Sequence, residues 1–382
     1  MDSTRSRGSG IGISRRRFLR LLSTVGATGL IAAHAPQVSR ALASTNLRLV
    51  WLQAATCNGC AQSLLNATLP DLPQLIEGMG VDLSLLGELH PNRIGLRVDG
   101  YPIGYDDDNP NQRLKEIVSR AQQGTERYVL VVEGAVPRGP QGSGRYQLLD
   151  GEPVVDVVLR CAQYAVGTIA FGTCACYGGL HAATGSLSGM RGLAMTYRGD
   201  IRFNDGVLAS GSPVINIPGC TPHPDWLTAV LVAMAQGWDL PPMDGFLRPD
   251  GVYPKDLTLH DLCEFRALYD RGEFASALGE PGCRYRIGCK GPFAKADCPS
   301  RRWNDSIEFC VSAGSPCLAC AEPGFPDVST PFYLQKEQVN LFAGLNVGDM
   351  AKAAGAATGV LIGLHALRRV VARGEEKDEG RR

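Results

Sequence analysis

The chain has 382 residues, 44% hydrophobic and 20% charged, enough for two domains with cores of their own. Its formal charge is zero, but residues 1–43 hold seven arginines and one acid, leaving 31 bases against 37 acids elsewhere, about −6. A mildly acidic body excludes the basic face that nucleic-acid binding needs.

Taken in order, Ser14-Arg15-Arg16-Arg17-Phe18-Leu19-Arg20 places paired arginines ahead of an apolar run at 21–33. Ala41-Leu42-Ala43 then offers small residues where a signal peptidase reads, so 1–43 is expected to be a twin-arginine signal. That route exports folded proteins, so thiolate ligands can be loaded with metal in the reducing cytoplasm before export to the periplasm or the outer face of the cytoplasmic membrane.

Runs rich in β-branched residues at 47–52, 128–132, 168–171 and 214–217 lack alternation, the mark of strands buried on both faces of a parallel sheet. Helical stretches at 111–123 and 154–165 separate them. The expectation is a flavodoxin-like, doubly wound α/β domain over 44–240. In such sheets ligands gather beyond the carboxyl ends of the strands. The first run leads into Thr56-Cys57-Asn58-Gly59-Cys60, the third into Gly172-Thr173-Cys174, the fourth into Pro218-Gly219-Cys220. Cys57, Cys60, Cys174 and Cys220 therefore converge and can enclose a cubane cluster. The second run leads into Glu133-Gly134-Ala135-Val136-Pro137, where Glu133 is either a cluster-adjacent or interface group or a strand-end carboxylate that is solvated or caps a turn.

Beyond Pro241-Pro242 the aliphatic runs stop, and Cys, Pro, Gly and charged residues dominate. A stretch so poor in core-forming residues needs staples, and metal clusters supply them. A smaller, irregular cluster-binding domain is expected over 241–345. His260, Cys263, Cys283 and Cys289 can ligate an iron–sulfur cluster or a structural zinc. Cys298, Cys310, Cys317 and Cys320 make a four-thiolate set, again with zinc as the rival. Of thirteen cysteines this leaves Cys161, expected as a small core residue, and Cys176, expected near a cluster without ligating it. Residues 353–367 form an uncharged helix flanked by charge, shorter than the ~20 residues of a membrane span. With the charged tail, 346–382 is a candidate membrane anchor or interfacial helix.

The order of these motifs resembles the small subunit of nickel–iron hydrogenases over nearly the whole chain. Besides the leader and Cys57-Asn58-Gly59-Cys60, the matches include Gly172-Thr173-Cys174-Ala175, Pro218-Gly219-Cys220-Thr221-Pro222, His260-x-x-Cys263, Gly288-Cys289-Lys290-Gly291-Pro292 and the block 314–327. The resemblance implies electron relay, during hydrogen oxidation or proton reduction, from a large subunit that holds the nickel–iron site to a cytochrome or other acceptor. Enzyme activity would belong to the heterodimer, and no catalytic residue is expected here. It implies a proximal 4Fe–4S cluster on Cys57, Cys60, Cys174 and Cys220, and a distal 4Fe–4S cluster on His260, Cys263, Cys283 and Cys289. The medial cluster falls to Cys298, Cys317 and Cys320. Many relatives carry Pro where this chain has Cys310, so a 4Fe–4S medial cluster is expected here, with 3Fe–4S as the alternative. Oxygen-tolerant relatives carry extra cysteines at the positions of Gly59 and Gly179. The remaining alternatives are another exported iron–sulfur protein, such as a relative of the cluster-bearing part of complex I, or a zinc-stapled binding protein.

Overall fold

Apolar side chains stand on both sides of every strand run, so a stable arrangement must cover both faces of the sheet. The computed structural model describes residues 47–75 except 69 and 74, 110–304, 306–333, 340–342, 345–346, and 358, 360 and 365. Four strands, β1 (Arg48–Gln53), β2 (Tyr128–Glu133), β3 (Gly167–Phe171) and β4 (Val214–Ile217), form one parallel sheet in that spatial order. The register pairs Leu49 with Val129, Val131 with Ile169, and Ile169 with Ile215. These bounds lie within one residue of the predicted runs.

The helices are α1 (Gly59–Leu64), α2 (Pro110–Gln122), α3 (Val154–Tyr164), α4 (Thr173–Tyr177) and α5 (Pro224–Ala235). Alternate strand residues face opposite ways. Leu49, Trp51, Val129, Val131, Ile169, Phe171 and Ile217 pack with Ala61 and Leu64 of α1 and with Trp226, Leu227 and Leu231 of α5. On the other face Val50, Leu52, Leu130, Val132 and Ala170 meet Leu114 and Ile117 of α2, Val157 and Cys161 of α3, and Ala175 and Tyr177 of α4. Each fully buried aliphatic or aromatic side chain of this kind contributes roughly 1.5–3 kcal/mol. The α/β architecture with helices on both faces is the one expected.

Residues 256–333 are built differently. Their helices are single turns: α6 (Leu259–Leu262), α7 (Arg266–Asp270) and α8 (Cys298–Arg301). A small core of Leu259, Ala294, Phe309, Val311 and Ala319 includes Cys289 and Cys317 among its members. Side-chain contacts lock this segment to the sheet domain. Arg248 donates to Asp244, Glu322 and the Ala321 carbonyl, and Asp327 accepts from the amides of Thr184 and Gly199. The expected leader at 1–43 and the expected helix at 353–367 with its tail lie outside the described residues, three scattered positions aside. Among the described residues no helix is long and apolar enough to cross a membrane.

Candidate metal centres

The strand ends deliver four thiols to one edge of the sheet. Cys57 precedes α1, where Asn58 turns the chain with φ 64°, and Cys60 follows in the helix's first turn. Cys174 is the second residue of α4, just after β3, and Cys220 follows β4. Gly172 joins β3 to α4 at φ +96°, and a Cβ there would lie 2.5 Å from the Cys60 sulfur. Only glycine allows that approach. Burial pushes the Cys60 thiol well up, and the nearby charges of Glu133, Cys174, Cys57 and Cys220 push it further. Cys174 is raised to about 12, by burial first and by Cys220 next.

Glu133, fully buried at the end of β2, accepts hydrogen bonds from Trp51 Nε1 (3.1 Å), Gln53 Nε2 (3.3 Å), Thr56 Oγ1 (2.9 Å) and the Ala61 amide (3.2 Å). It therefore braces the Cys57–Cys60 turn against β1, buried and not solvated, as a carboxylate that caps the turn.

A Thr258/Asp261 capping box fixes the single turn of α6, which carries His260 and ends at Cys263. The His260 ring stands edge-on to Tyr269 at 4.6 Å, and its amide donates to the Gly291 carbonyl at 3.2 Å, beside Cys289. Cys263 is pushed up to about 11 by burial first, then by the charges of Cys289 and Cys283. These three thiols and His260 are thus one neighbourhood. The Cys289 sulfur accepts from the amides of Gly291 (3.4 Å) and Cys317 (3.3 Å).

Cys298 begins α8, and burial raises its thiol well above the ordinary value, aided by Cys320, Cys317 and Cys310. Cys310 is the most open member of this third group, and Cys317 is buried. Cys320 is raised to about 12 by burial, with Cys310 and Cys220 adding to it. The third group therefore stands between the other two, near Cys220 on one side and Cys289 on the other.

The thiols of each predicted set lie close enough to raise one another's pKa. Of the two remaining cysteines, Cys161 is buried in the core as expected, and Cys176 is buried with its thiol donating to the Ala170 carbonyl at 3.2 Å. Among the described residues no cysteine is in a disulfide. Buried thiols that raise one another's pKa are stable as thiolates only around strongly positive metal. Sets of four thiols, or of three thiols and an imidazole, are donor sets that an iron–sulfur cluster takes.

Three residues at the junctions escaped the sequence reading. Thr173 donates to the Cys320 carbonyl, Arg248 is buried between two carboxylates, and His223 bridges the Asp225 amide and the Arg302 carbonyl (3.1 and 2.7 Å). Burial and, less, Arg301 lower His223 to about 4, so it stays neutral at pH 7. Their partners in the cluster-bearing segment are some 70 to 150 residues away, and no local pattern signals such contacts.

Residues 256–333 match the family model for the C-terminal region of the NiFe/NiFeSe hydrogenase small subunit, and residues 57–234 match NADH ubiquinone oxidoreductase, 20 Kd subunit. The F420 non-reducing hydrogenase II small subunit of Methanosarcina mazei is 36% identical, covering 94% of this chain and 93% of that one. The periplasmic [NiFeSe] hydrogenase small subunit of Desulfomicrobium baculatum is 31% identical, covering 84% and 99%. The solved structure of the reduced, active Ni-Fe-Se hydrogenase from that organism superposes with a TM-score of 0.61 at 31% identity, over 76% of this chain and 99% of that one. The sheet domain alone would leave a complex I relative open, but the downstream match and the full-length relatives close that choice: the chain belongs to the small-subunit family of nickel–iron hydrogenases.

Proposed function

We propose that this chain is the electron-relay partner in a hydrogenase heterodimer, with Cys57, Cys60, Cys174 and Cys220 holding a proximal 4Fe–4S cluster. Cys298, Cys310, Cys317 and Cys320 hold a medial 4Fe–4S cluster, and His260, Cys263, Cys283 and Cys289 a distal one. Bound there, the clusters supply three sites that each accept and release one electron reversibly. The observation that carries the reading is the order of the three donor groups, the third lying between the first and second.

The chain's own residues do the rest. The strand-end turns hold the first group at one edge, where Cys57 and Cys220 are exposed and Leu180, whose backbone hydrogen-bonds with Cys174, is exposed as well. A large subunit laid over that edge would exclude water from the proximal site. The amides at Cys289 and the Ala319 amide at Cys317 (3.4 Å) stabilise thiolate charge and raise the potential of what those sulfurs ligate. His260 in place of a fourth thiolate lowers the negative charge of its group in the same sense. Gly59 and Gly179 supply no further thiol beside the first group. A Cβ at Gly179 would lie 2.9 Å from the Cys174 sulfur, which supports an ordinary proximal cluster.

The same reading assigns 1–43 as a twin-arginine leader, 44–240 as the proximal-cluster domain, 241–345 as the medial and distal domain, and 346–382 as a helix and tail at the membrane. The family matches at 57–234 and 256–333 support the middle boundary. The periplasmic relatives support export, and the acceptor in this reading is a cytochrome or similar carrier. The test is iron and sulfide analysis with electron paramagnetic resonance of the purified heterodimer, for which about twelve irons per chain are expected. A Cys310→Pro variant should gain a stoichiometric oxidised 3Fe–4S signal. That signal in the unaltered protein, or about four irons or fewer, overturns the assignment.

A further inference from the structure

Thr173 is 1% exposed, at the junction of β3 and α4, next to Cys174. A valine has the same shape and leaves no polar atom to satisfy, so a hydroxyl buried here must be fully paired. It is. Oγ1 donates to the Cys320 carbonyl at 2.5 Å and accepts from the Gly219 amide at 2.9 Å, while the Thr173 amide donates to the Gly219 carbonyl at 3.1 Å. The bland role, capping its own helix, is absent: Gly172 is the N-cap of α4, without a side-chain cap. The hydroxyl reaches instead to a residue 147 positions away.

Each residue it joins is a proposed ligand or adjoins one. Cys174 and Cys220 belong to the first group, and Cys320 to the third. The next junction is built likewise, where the Cys317 amide donates to the Cys289 sulfur at 3.3 Å and the Lys290 amide to the Cys317 carbonyl at 2.7 Å. The chain therefore runs from Cys174 through Thr173 to Cys320, along the backbone to Cys317, and across to Cys289. Its second junction uses only backbone and ligand atoms. Its first depends on one replaceable hydroxyl.

We propose that Thr173 is a positioning residue whose hydroxyl fixes the gap between the first and third ligand groups and completes a hydrogen-bonded path between them. The inference rests on the ligand assignment above. A single electron passing between the groups makes and breaks no bond, so what the protein controls is their separation and the connection across it.

The test uses the intact heterodimer with Thr173→Val and Thr173→Ser. Three quantities are read: iron content, the magnetic interaction between the reduced proximal and medial clusters, and the freeze-quench rate at which electrons reach the medial cluster. The valine variant should keep its iron, weaken the magnetic interaction and slow arrival several-fold, and the serine variant should restore both. Valine without effect at full iron content overturns the proposal, as does an equal loss in valine and serine, which would point to the methyl group. Should valine lower the iron content, Thr173→Ala takes its place under the same criteria. Iron loss in both reduces the hydroxyl to holding the fold and also overturns the proposal. Cys320→Ala separates the underlying reading: if it keeps a full iron complement, the ligand assignment itself fails.

Discussion

Replacing Arg248 by methionine isolates what the junction between the sheet domain and the cluster-bearing segment is worth. The guanidinium is 1% exposed and lies 2.8 Å from Asp244, 3.1 Å from Glu322 and 3.3 Å from the Ala321 carbonyl, with its plane against Tyr253 and Phe246. Methionine fills much of the volume but leaves two carboxylates facing one buried space without a counter-charge. Removing one partner of a buried ion pair costs about 3–5 kcal/mol. At about 2–4 °C per kcal/mol for a domain of this size, the apparent unfolding midpoint of the heterodimer should fall by about 6–20 °C. Midpoints are compared at one scan rate, followed by loss of the visible iron–sulfur absorbance. A lysine at 248 should recover only part, because one ammonium cannot serve both carboxylates with the guanidinium's fork. The decisive arm is the triple variant Arg248→Met, Asp244→Asn, Glu322→Gln, which leaves no buried charge and should regain most of the loss. If the triple variant is as unstable as the single one, packing and not charge governs the site, and the reasoning fails.

Other outcomes follow from the same contacts. Asp327→Ala removes the acceptor for the amides of Thr184 and Gly199 (both 2.8 Å), expected to cost about 1.5–3 kcal/mol. Burial pushes the Asp327 carboxyl up, but those amides and the Thr184 hydroxyl outweigh it and hold the carboxyl below 3.8. Its stabilisation is therefore complete above that value and lost only as pH falls through the folded value. The Asp327→Ala deficit should stay constant from about pH 8 to pH 5, and a deficit that shrinks over that range contradicts the sign. Gly172→Ala sets a methyl 2.5 Å from the Cys60 sulfur at φ +96°, so purified protein should lack about four irons while a spectrum of the other sites persists. Cys161→Ala, deep in α3, should leave the iron content unchanged and cost about 1 kcal/mol. Iron loss there would mean that the ligand sets have been drawn wrongly.

Much of this protein could be read from local pattern. Four apolar runs without alternation identify strands covered on both faces, and the residues after them identify thiols at the strand ends, because strand period and turn chemistry depend on near neighbours in the chain. The proposed ligand sets rest on a related regularity: Cys57/Cys60, His260/Cys263 and Cys317/Cys320 are pairs held by short loops whose spacing limits where the donors can point. Only the tertiary structure decided the junctions. The hydrogen bond from Thr173 to Cys320, the guanidinium of Arg248 between Asp244 and Glu322, the amide of Cys317 on the sulfur of Cys289, and the buried carboxylate of Glu133 join residues 28 to 147 positions apart, apart from the local Arg248–Asp244 pair. The contacts of Thr173 and Arg248 arise from how two differently built segments pack and those of Cys317 and Glu133 from folding within one segment, and in each case buried hydrogen-bonding groups must find partners wherever the fold brings them. Sequence spacing carries no trace of that choice, since the energy that selects it is that of burial in the assembled fold.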